Sequence, residues 1–426
     1  MSRPYRVVHT ADWHLGKTLG DLDRTEEHRF FLRWLETFLV EEKVDALVIA
    51  GDLFDSANPP QSAIRLYFDF LAALHAGSAC RVVVVAGNHD SPAHLEAPRD
   101  LLRLVKAQVV GHWPLTAEGA PDYAALLHPL PSPEAPQLIV AAIPFLRERE
   151  LRTGRLGQSA DEIARDLRDG LETIYRETAA AAESFRAGGL PVLATGHLTA
   201  LGSRHSESER EIHVGGLGAI GADRFPEAFA YVALGHLHRP QAVGGRETIR
   251  YSGSPIALGF GEAAEAREIR LLEFGEGRLL HQCGVAIPPA RQLATLRLPQ
   301  SELAPRLKAW QPAFAAPLPP WLEVIVTGTG ENRELYRAVQ EIACERPFSV
   351  VRVRTEHAAE AASLSLEEEA DAAQAHDQLG DPRRVFEQRL DAESLEPPQR
   401  EALLTAFGEL LSLYHERQRD AGGTAA

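Results

Sequence analysis

The sequence predicts an α/β layered fold, followed by a small α+β unit and C-terminal helices. Three observations carry this prediction. Short unbroken apolar runs such as ALVIA (46–50) and RVVVVA (81–86) have the pattern of strands buried on both faces. Between them, apolar residues recur at helical spacing. From residue 355 the composition turns Ala/Glu-rich and the folded pattern stops.

Each element follows from its local pattern. Tyr5–His9 reads as a strand, and residues 25–42 place Phe30, Phe31, Trp34, Leu35, Phe38 and Leu39 on one helical stripe. Ala46–Ala50 is a strand, Gln61–His75 a helix and Arg81–Ala86 a second buried strand. Residues 159–187 have a helical pattern, and Pro191–Thr195 and Tyr231–Leu234 that of strands. A second unit spans 287–355. It runs strand (293–298), helix (302–310), loop (QPAFAAPLPP), strand (322–326), helix (331–345) and strand (348–354), with no catalytic cluster. An acidic linker follows, then helical patterns at 382–390 and 399–417. The second gathers Leu403, Leu404, Phe407, Leu410, Leu411 and Tyr414 on one face, which either packs on its own domain or docks onto a partner. There are no internal repeats. The tract 115–137 is Ala/Pro-rich and carries no functional signal.

Composition narrows the function classes. The chain has 426 residues, enough for two or three domains, and a formal net charge of −16. That acidity argues against a DNA-binding module acting alone. It is unevenly spread, however: residues 355–426 hold 16 acids and 6 bases, so most of the excess lies in the linker and tail. Cys80, Cys283 and Cys344 are far apart and form no CxxC, which argues against a disulfide scaffold or zinc ribbon. The N-terminus shows no basic-then-apolar leader, and no apolar run approaches the ~18–20 residues of a membrane span. A cytoplasmic protein without membrane attachment is expected.

The chemistry sits where strands end. Tyr5–His9 leads into Asp12-Trp13-His14, Ala46–Ala50 into Gly51-Asp52-Leu53-Phe54-Asp55, and Arg81–Ala86 into Gly87-Asn88-His89-Asp90. Val192–Thr195 leads into Gly196-His197, and Tyr231–Leu234 into Gly235-His236-Leu237-His238. Ligands in α/β folds bind at the carboxyl ends of strands, so five strands are expected to deliver Asp, His and Asn to one edge of a sheet. Carboxylate, imidazole and amide oxygen without thiolate suit Mn²⁺, Fe²⁺ or Zn²⁺. In an extended segment, i and i+2 side chains point the same way, which pairs Asp12 with His14 and His236 with His238. Asp52 is the single carboxylate placed to bridge two ions. Two ions roughly 3.5–4 Å apart can clamp a phosphoryl group and activate water. Glycines 51, 87, 196 and 235 permit a sharp turn or close approach there. Singly, each cluster has an ordinary reading as a capped turn, a surface pair or a stray metal site. Together, each after an apolar strand, they form a ligand set. His9, His28, His75, His94, His112, His128, His281 and His415 fit no such pattern and are expected in the core or on the surface, whereas His205 and His213 stay unassigned.

These five clusters resemble the calcineurin-like metallophosphoesterase family, which includes phosphoprotein phosphatases, nucleotide phosphodiesterases and DNA nucleases. Finer details are similar to its SbcD branch of bacterial nuclease subunits: HTADWHLG (9–16), GDLFD (51–55), GNHDS (87–91), HLTA (197–200), SESER (206–210), VGG (214–216) and YSGSP (251–255). The similarity is strong over about residues 5–260.

The resemblance implies a layered β-sandwich flanked by helices over 1–285. It further implies a small α+β capping, DNA-binding domain over 286–355, an acidic linker over 356–380, partner-docking helices over 381–418 and a disordered tail over 419–426. It assigns one ion to Asp12, His14, Asp52 and His238, and a second to Asp52, Asn88, His197 and His236. His89 would face the scissile phosphate, with Asp55 orienting it through a carboxylate on one ring nitrogen. It implies two divalent ions, Mn²⁺ being usual. It also implies a homodimer, contacting through helix 25–42, and an SbcC-like ABC-type ATPase partner with a long coiled coil. This chain has no GxxxxGK[ST] pattern, so ATP would be handled by that partner. The implied reaction is 3′–5′ exonuclease action on DNA duplex ends and endonuclease action on single strands and hairpins. Two other readings stand beside it: a phosphoesterase for nucleotides or phosphoproteins, and a scaffold with a vestigial site, which the intact ligand set disfavours.

Overall fold

The computed structural model describes residues 3–152, 154, 158–201, 203, 219–328, 333–344, 346–356, 400, 403, 404 and 407. The linker, C-terminal helices and tail expected beyond 356 lie outside these residues, isolated positions aside. So does the 204–218 segment with His205 and His213. Two compact units are present, residues 1–325 with 333–354 and residues 326–332 with 355–426. The sandwich and its site belong to the first.

Two six-stranded sheets form the centre. One runs in the order Arg278–Ala286, Glu268–Gly275, Tyr5–Thr10, Ala46–Ala50, Arg81–Val85, Ala107–Val110. The other runs Gln241–Val243, Arg246–Tyr251, Tyr231–Gly235, Val192–His197, Leu138–Ala141, Leu127–Leu130. Strands Tyr5–Thr10, Ala46–Ala50, Arg81–Val85 and Ala107–Val110 are parallel neighbours, as are Leu138–Ala141, Val192–His197, Tyr231–Gly235 and Arg246–Tyr251.

The unbroken apolar runs have a direct physical cause. Alternate side chains of a strand face opposite ways. Val7, Val48, Val83 and Val85 therefore pack against the facing sheet, with Leu193, Tyr231 and Leu234 in the same core. Val8, Leu47, Ile49, Val82 and Val84 pack instead under Phe31, Leu35, Leu39, Leu66, Phe70 and Leu74 of helices Thr25–Glu41 and Gln61–Gly77. Apolar residues are therefore needed on both faces of these strands. Helix Ala160–Ala181 covers the other sheet with Leu167, Leu171, Ile174 and Tyr175. Helix geometry breaks at Ala182 before Glu183–Ala187, so the stretch expected as one helix is two.

The small α+β part contains a three-stranded sheet, Leu293–Pro299, Trp321–Thr327 and Ser349–Glu356, with helices Leu303–Ala309 and Arg333–Ala343. Phe260, Leu293 and Trp321 form a cluster of their own within the first unit. No helix of the described residues is long and apolar enough to cross a membrane.

Candidate metal centre

The predicted site residues come together, but not along one sheet edge as the sequence suggests. Asp12, His14, Asp52, Asn88 and His89 follow three strands of the first sheet; His197, His236 and His238 come from two strands of the second. The strand pattern could not reveal that the runs divide between two facing sheets. Their carboxyl ends meet at one rim of the sandwich.

Close crossing of these loops demands unusual backbone. Asp12, His14, Asp52 and His236 all have positive φ, at 55°, 45°, 49° and 102°. Such conformations cost about 1–3 kcal/mol each and persist only where surroundings impose them. Gly51 has φ +92°, and a Cβ there would lie 2.2 Å from His197 Nδ1. At Gly87 a Cβ would lie 2.1 Å from Asp52 Oδ1. Both glycines are there because a ligand side chain occupies the space.

Asp52 stands at the middle. Its Oδ2 lies 3.6 Å from His14 Nε2 and 3.3 Å from His197 Nε2. Such separations are those of donors each about 2.1 Å from a shared ion. Asn88 Oδ1 is 2.9 Å from His197 Nε2, and the His197 and His236 rings are 5.4 Å apart. Ligand atoms of Asp12, His14 and His238 lie within 4.8 Å of one another, as do those of Asp12, Asp52 and His197 and those of His14, Asp52 and His89.

The donor chemistry fits divalent ions. His197 Nδ1 is held by the Ala50 carbonyl at 3.0 Å, His14 Nδ1 faces Asp55 Oδ1 at 3.2 Å, and His238 Nδ1 faces Glu262 Oε1 at 3.0 Å. Nδ1 is hydrogen-bonded in His197 and His238 and lies beside a carboxylate oxygen in His14, where neither ring nitrogen has a hydrogen bond, so Nε2 is the nitrogen left for a metal. Asp12 Oδ2 and His14 Nε2 are buried without a hydrogen bond. Groups that costly to bury unpaired point to a missing partner.

Charges follow from burial and proximity. Burial, with Asp52 adding to it, pushes Asp12 up to about 7 against the pull of His197 and His238. Burial opposes ionisation of Asp52 too, but His197, His14 and His89 hold it well below the ordinary carboxylate range. His197 is raised to about 9 against burial by Asp52 and Asp12, whereas burial lowers His14 to about 4.

The role expected of the Asp55 carboxylate is corrected. His89 Nδ1 donates to the Asp55 main-chain carbonyl at 2.8 Å. The Asp55 carboxylate turns instead to His14 Nδ1 and to Lys17 Nζ at 3.1 Å, because two cationic or donor groups lie on that side. Nor does Asp55 cap a helix: Pro60 precedes helix Gln61–Gly77.

Two further residues shape the site. Asp90 accepts from the backbone N–H of Leu53 (3.1 Å), Phe54 (2.9 Å) and Gly87 (2.9 Å), tying the Asp52 loop to the Asn88 loop. Glu262 holds His238. Asp90 stands inside a visible motif, but nothing in its neighbours announces its partners. Glu262 carries no local signal at all. Of the histidines outside the ligand set, His9 and His28 are wholly buried core residues, bonded to Leu234 O and Trp13 O.

Residues 5–240 match the calcineurin-like phosphoesterase family. The SbcD component of the nuclease SbcCD from Escherichia coli K12 is 34% identical over 406 residues, covering 94% of this chain and 96% of that protein. The chain belongs to the SbcD family. SbcD-family relatives of the same name from Rhodobacter capsulatus (41% over 306 residues, 70% and 73% coverage) and Bacillus subtilis (38% over 275 residues, 64% and 67%) agree. Residues 289–394 match a domain described as the type 5 capsule protein repressor C-terminal domain. This SbcD-family chain is thus an α/β metallophosphoesterase with a centre suited to two divalent ions, and its relatives are named as subunits of a complex.

Proposed function

We propose that the chain is the nuclease subunit of a two-component DNA-processing machine acting in repair, replication and recombination in the cytoplasm. It hydrolyses DNA phosphodiesters, 3′–5′ from duplex ends and endonucleolytically in single strands and hairpins. The metal centre alone supports phosphoester hydrolysis in general, since fold and site chemistry are shared by many functions. The observation that carries DNA is similarity over 94% of the chain to a protein named as part of a nuclease.

Asp12, His14, Asp52 and His238 would hold one ion, and Asp52, Asn88, His197 and His236 the other, Mn²⁺ being the proposed metal. When bound, such ions polarise phosphoryl oxygens and lower the pKa of water. His89 must carry its proton on Nδ1, because the Asp55 carbonyl only accepts. Its Nε2, 4.0 Å from Asp52 Oδ2, is therefore the atom that meets the substrate. With a second proton on that nitrogen, the imidazolium would stabilise the charge on the leaving 3′ oxygen or give that proton to it, returning to the neutral Nδ1–H ring.

The partners proposed are an SbcC-like ABC-type ATPase with a long coiled coil, docked by residues 381–418, and a second copy of this chain. Helix Thr25–Glu41 supports the homodimer, leaving Trp34 and Phe38 half-buried and stacked at 5.6 Å. Residues 286–355 would cap the site and contact DNA. The net charge of −16 supports weak DNA binding by this chain alone, with the ions and the ATPase supplying much of the grip.

The test is incubation with Mn²⁺ and labelled hairpin or blunt duplex, and separately with a chromogenic phosphate monoester. Cleavage of DNA is expected. Activity on the ester but not on DNA, even with the ATPase added, would favour the nucleotide or phosphoprotein reading.

A further inference from the structure

His238 is fixed more completely than a metal ligand needs for packing alone. Its Nδ1 lies 3.0 Å from Glu262 Oε1, and the two side chains are 3% and 1% exposed. Glu262 has no freedom to turn away. Its Oε2 accepts from Leu258 N at 3.0 Å and pairs with Arg267 at 3.1 Å. Arg267 then reaches further: Nη1 donates to the His238 carbonyl and Ser254 Oγ, both at 2.9 Å, and Nη2 to the Glu262 carbonyl at 2.8 Å. One guanidinium thus grips the His238 backbone, the Glu262 backbone and the Glu262 carboxylate. The turn bearing Glu262, Phe260–Glu262, is itself seated by Phe260 against Leu293 and Trp321.

We propose that Glu262, braced by Arg267, is a positioning residue that sets the affinity of the ion held by His238. An ionised carboxylate only accepts, so it keeps the His238 proton on Nδ1 and presents the Nε2 lone pair toward Asp12 and His14. It also raises the basicity of that lone pair. Loss of such a partner costs about 10–100-fold in metal affinity. This inference rests on His238 being a ligand, as proposed above.

Mn²⁺ titration of the metal-free full-length protein, followed by the electron paramagnetic resonance signal of free Mn²⁺, tests it. E262Q preserves size but offers His238 an amide. It should weaken one of two ions by about 10–100-fold and leave the other nearly unchanged, whereas H238A should lose that same ion altogether. Retention of both ions in H238A would overturn the ligand assignment. Loss of one ion in H238A with wild-type binding in E262Q would overturn the role of Glu262 alone. Should E262Q fail to fold because Arg267 loses its counter-charge, the wild-type protein still decides. Nitrogen-15 spectra of metal-free protein must show His238 protonated on Nδ1, and an Nε2–H tautomer refutes the proposal.

Discussion

Asp90 invites the most quantitative test. Replacing it by Ala removes the acceptor of three buried backbone N–H groups, those of Leu53, Phe54 and Gly87. Each buried donor left unpaired costs about 1–3 kcal/mol. Part is returned, because burial and the nearby Asp52 push the Asp90 carboxyl up to about 6, so its charge is itself unfavourable in the fold. A net loss of about 4 kcal/mol is expected for D90A, a large part of the roughly 5–15 kcal/mol that holds a domain together. D90N keeps size and one acceptor oxygen, and should lose about 1–3 kcal/mol. Urea unfolding of metal-free protein, read by the fluorescence of its five tryptophans, of which Trp13 is wholly buried, measures both. Because Asp90 ties the loop of Asp52 to that of Asn88, D90A should also bind the ion they share more weakly. A D90A loss below about 1 kcal/mol would refute the argument that these donors have no other partner.

Three other outcomes are expected. His89→Ala should keep both ions by elemental analysis while cleavage falls about 10²–10⁴-fold; metal loss would show that His89, 4.0 Å from Asp52 Oδ2, is a ligand instead. Burial lowers His9 to about 3, so the unfolded chain takes up its proton near pH 6.5 and the folded chain does not. Stability therefore falls on acidification below pH 6.5, by about 2 kcal/mol between pH 7 and 5 from this ring. H9Q should lack that part of the pH dependence in denaturant titrations, and an identical slope would reject it. His197 carries a proton in the metal-free site, since Asp52 and Asp12 outweigh burial and raise it to about 9. Ion binding at pH 7 should then release about one proton from it and about half a proton from Asp12, which stands at about 7, seen together by calorimetry in buffers of differing ionisation heat; no release would contradict this.

What the sequence reveals here is what is local. An apolar run followed at once by Asp, His or Asn marks a strand and its ligand in one stretch, so the seven proposed ligands and His89 are legible there. Contacts made by distant residues are not. Glu262 lies 24 positions from His238 in a 3₁₀ turn without periodicity. The hairpin Glu268–Gly275 and Arg278–Ala286 lacks an unbroken apolar run because its second strand is mostly exposed or half-buried. Asp55 marks a different limit. Its place beside His89 is legible, but whether the main chain or the carboxylate makes the bond depends on Lys17 and His14 competing for the side chain.

The left-handed backbone at Asp12, His14, Asp52 and His236 has a consequence for how this protein can change. These positions are poor choices for stability and good ones for binding ions, so selection on the fold alone would erode them. Asparagine tolerates positive φ well and removes a buried charge. D12N should therefore melt higher than the parent without metal, since burial and Asp52 make the Asp12 charge unfavourable, and lower than the parent in its presence. D52N should melt lower in both, since it strips protonated His197 of its buried partner. A lineage freed from the need to cleave would drift toward such residues, gaining robustness as it lost the centre.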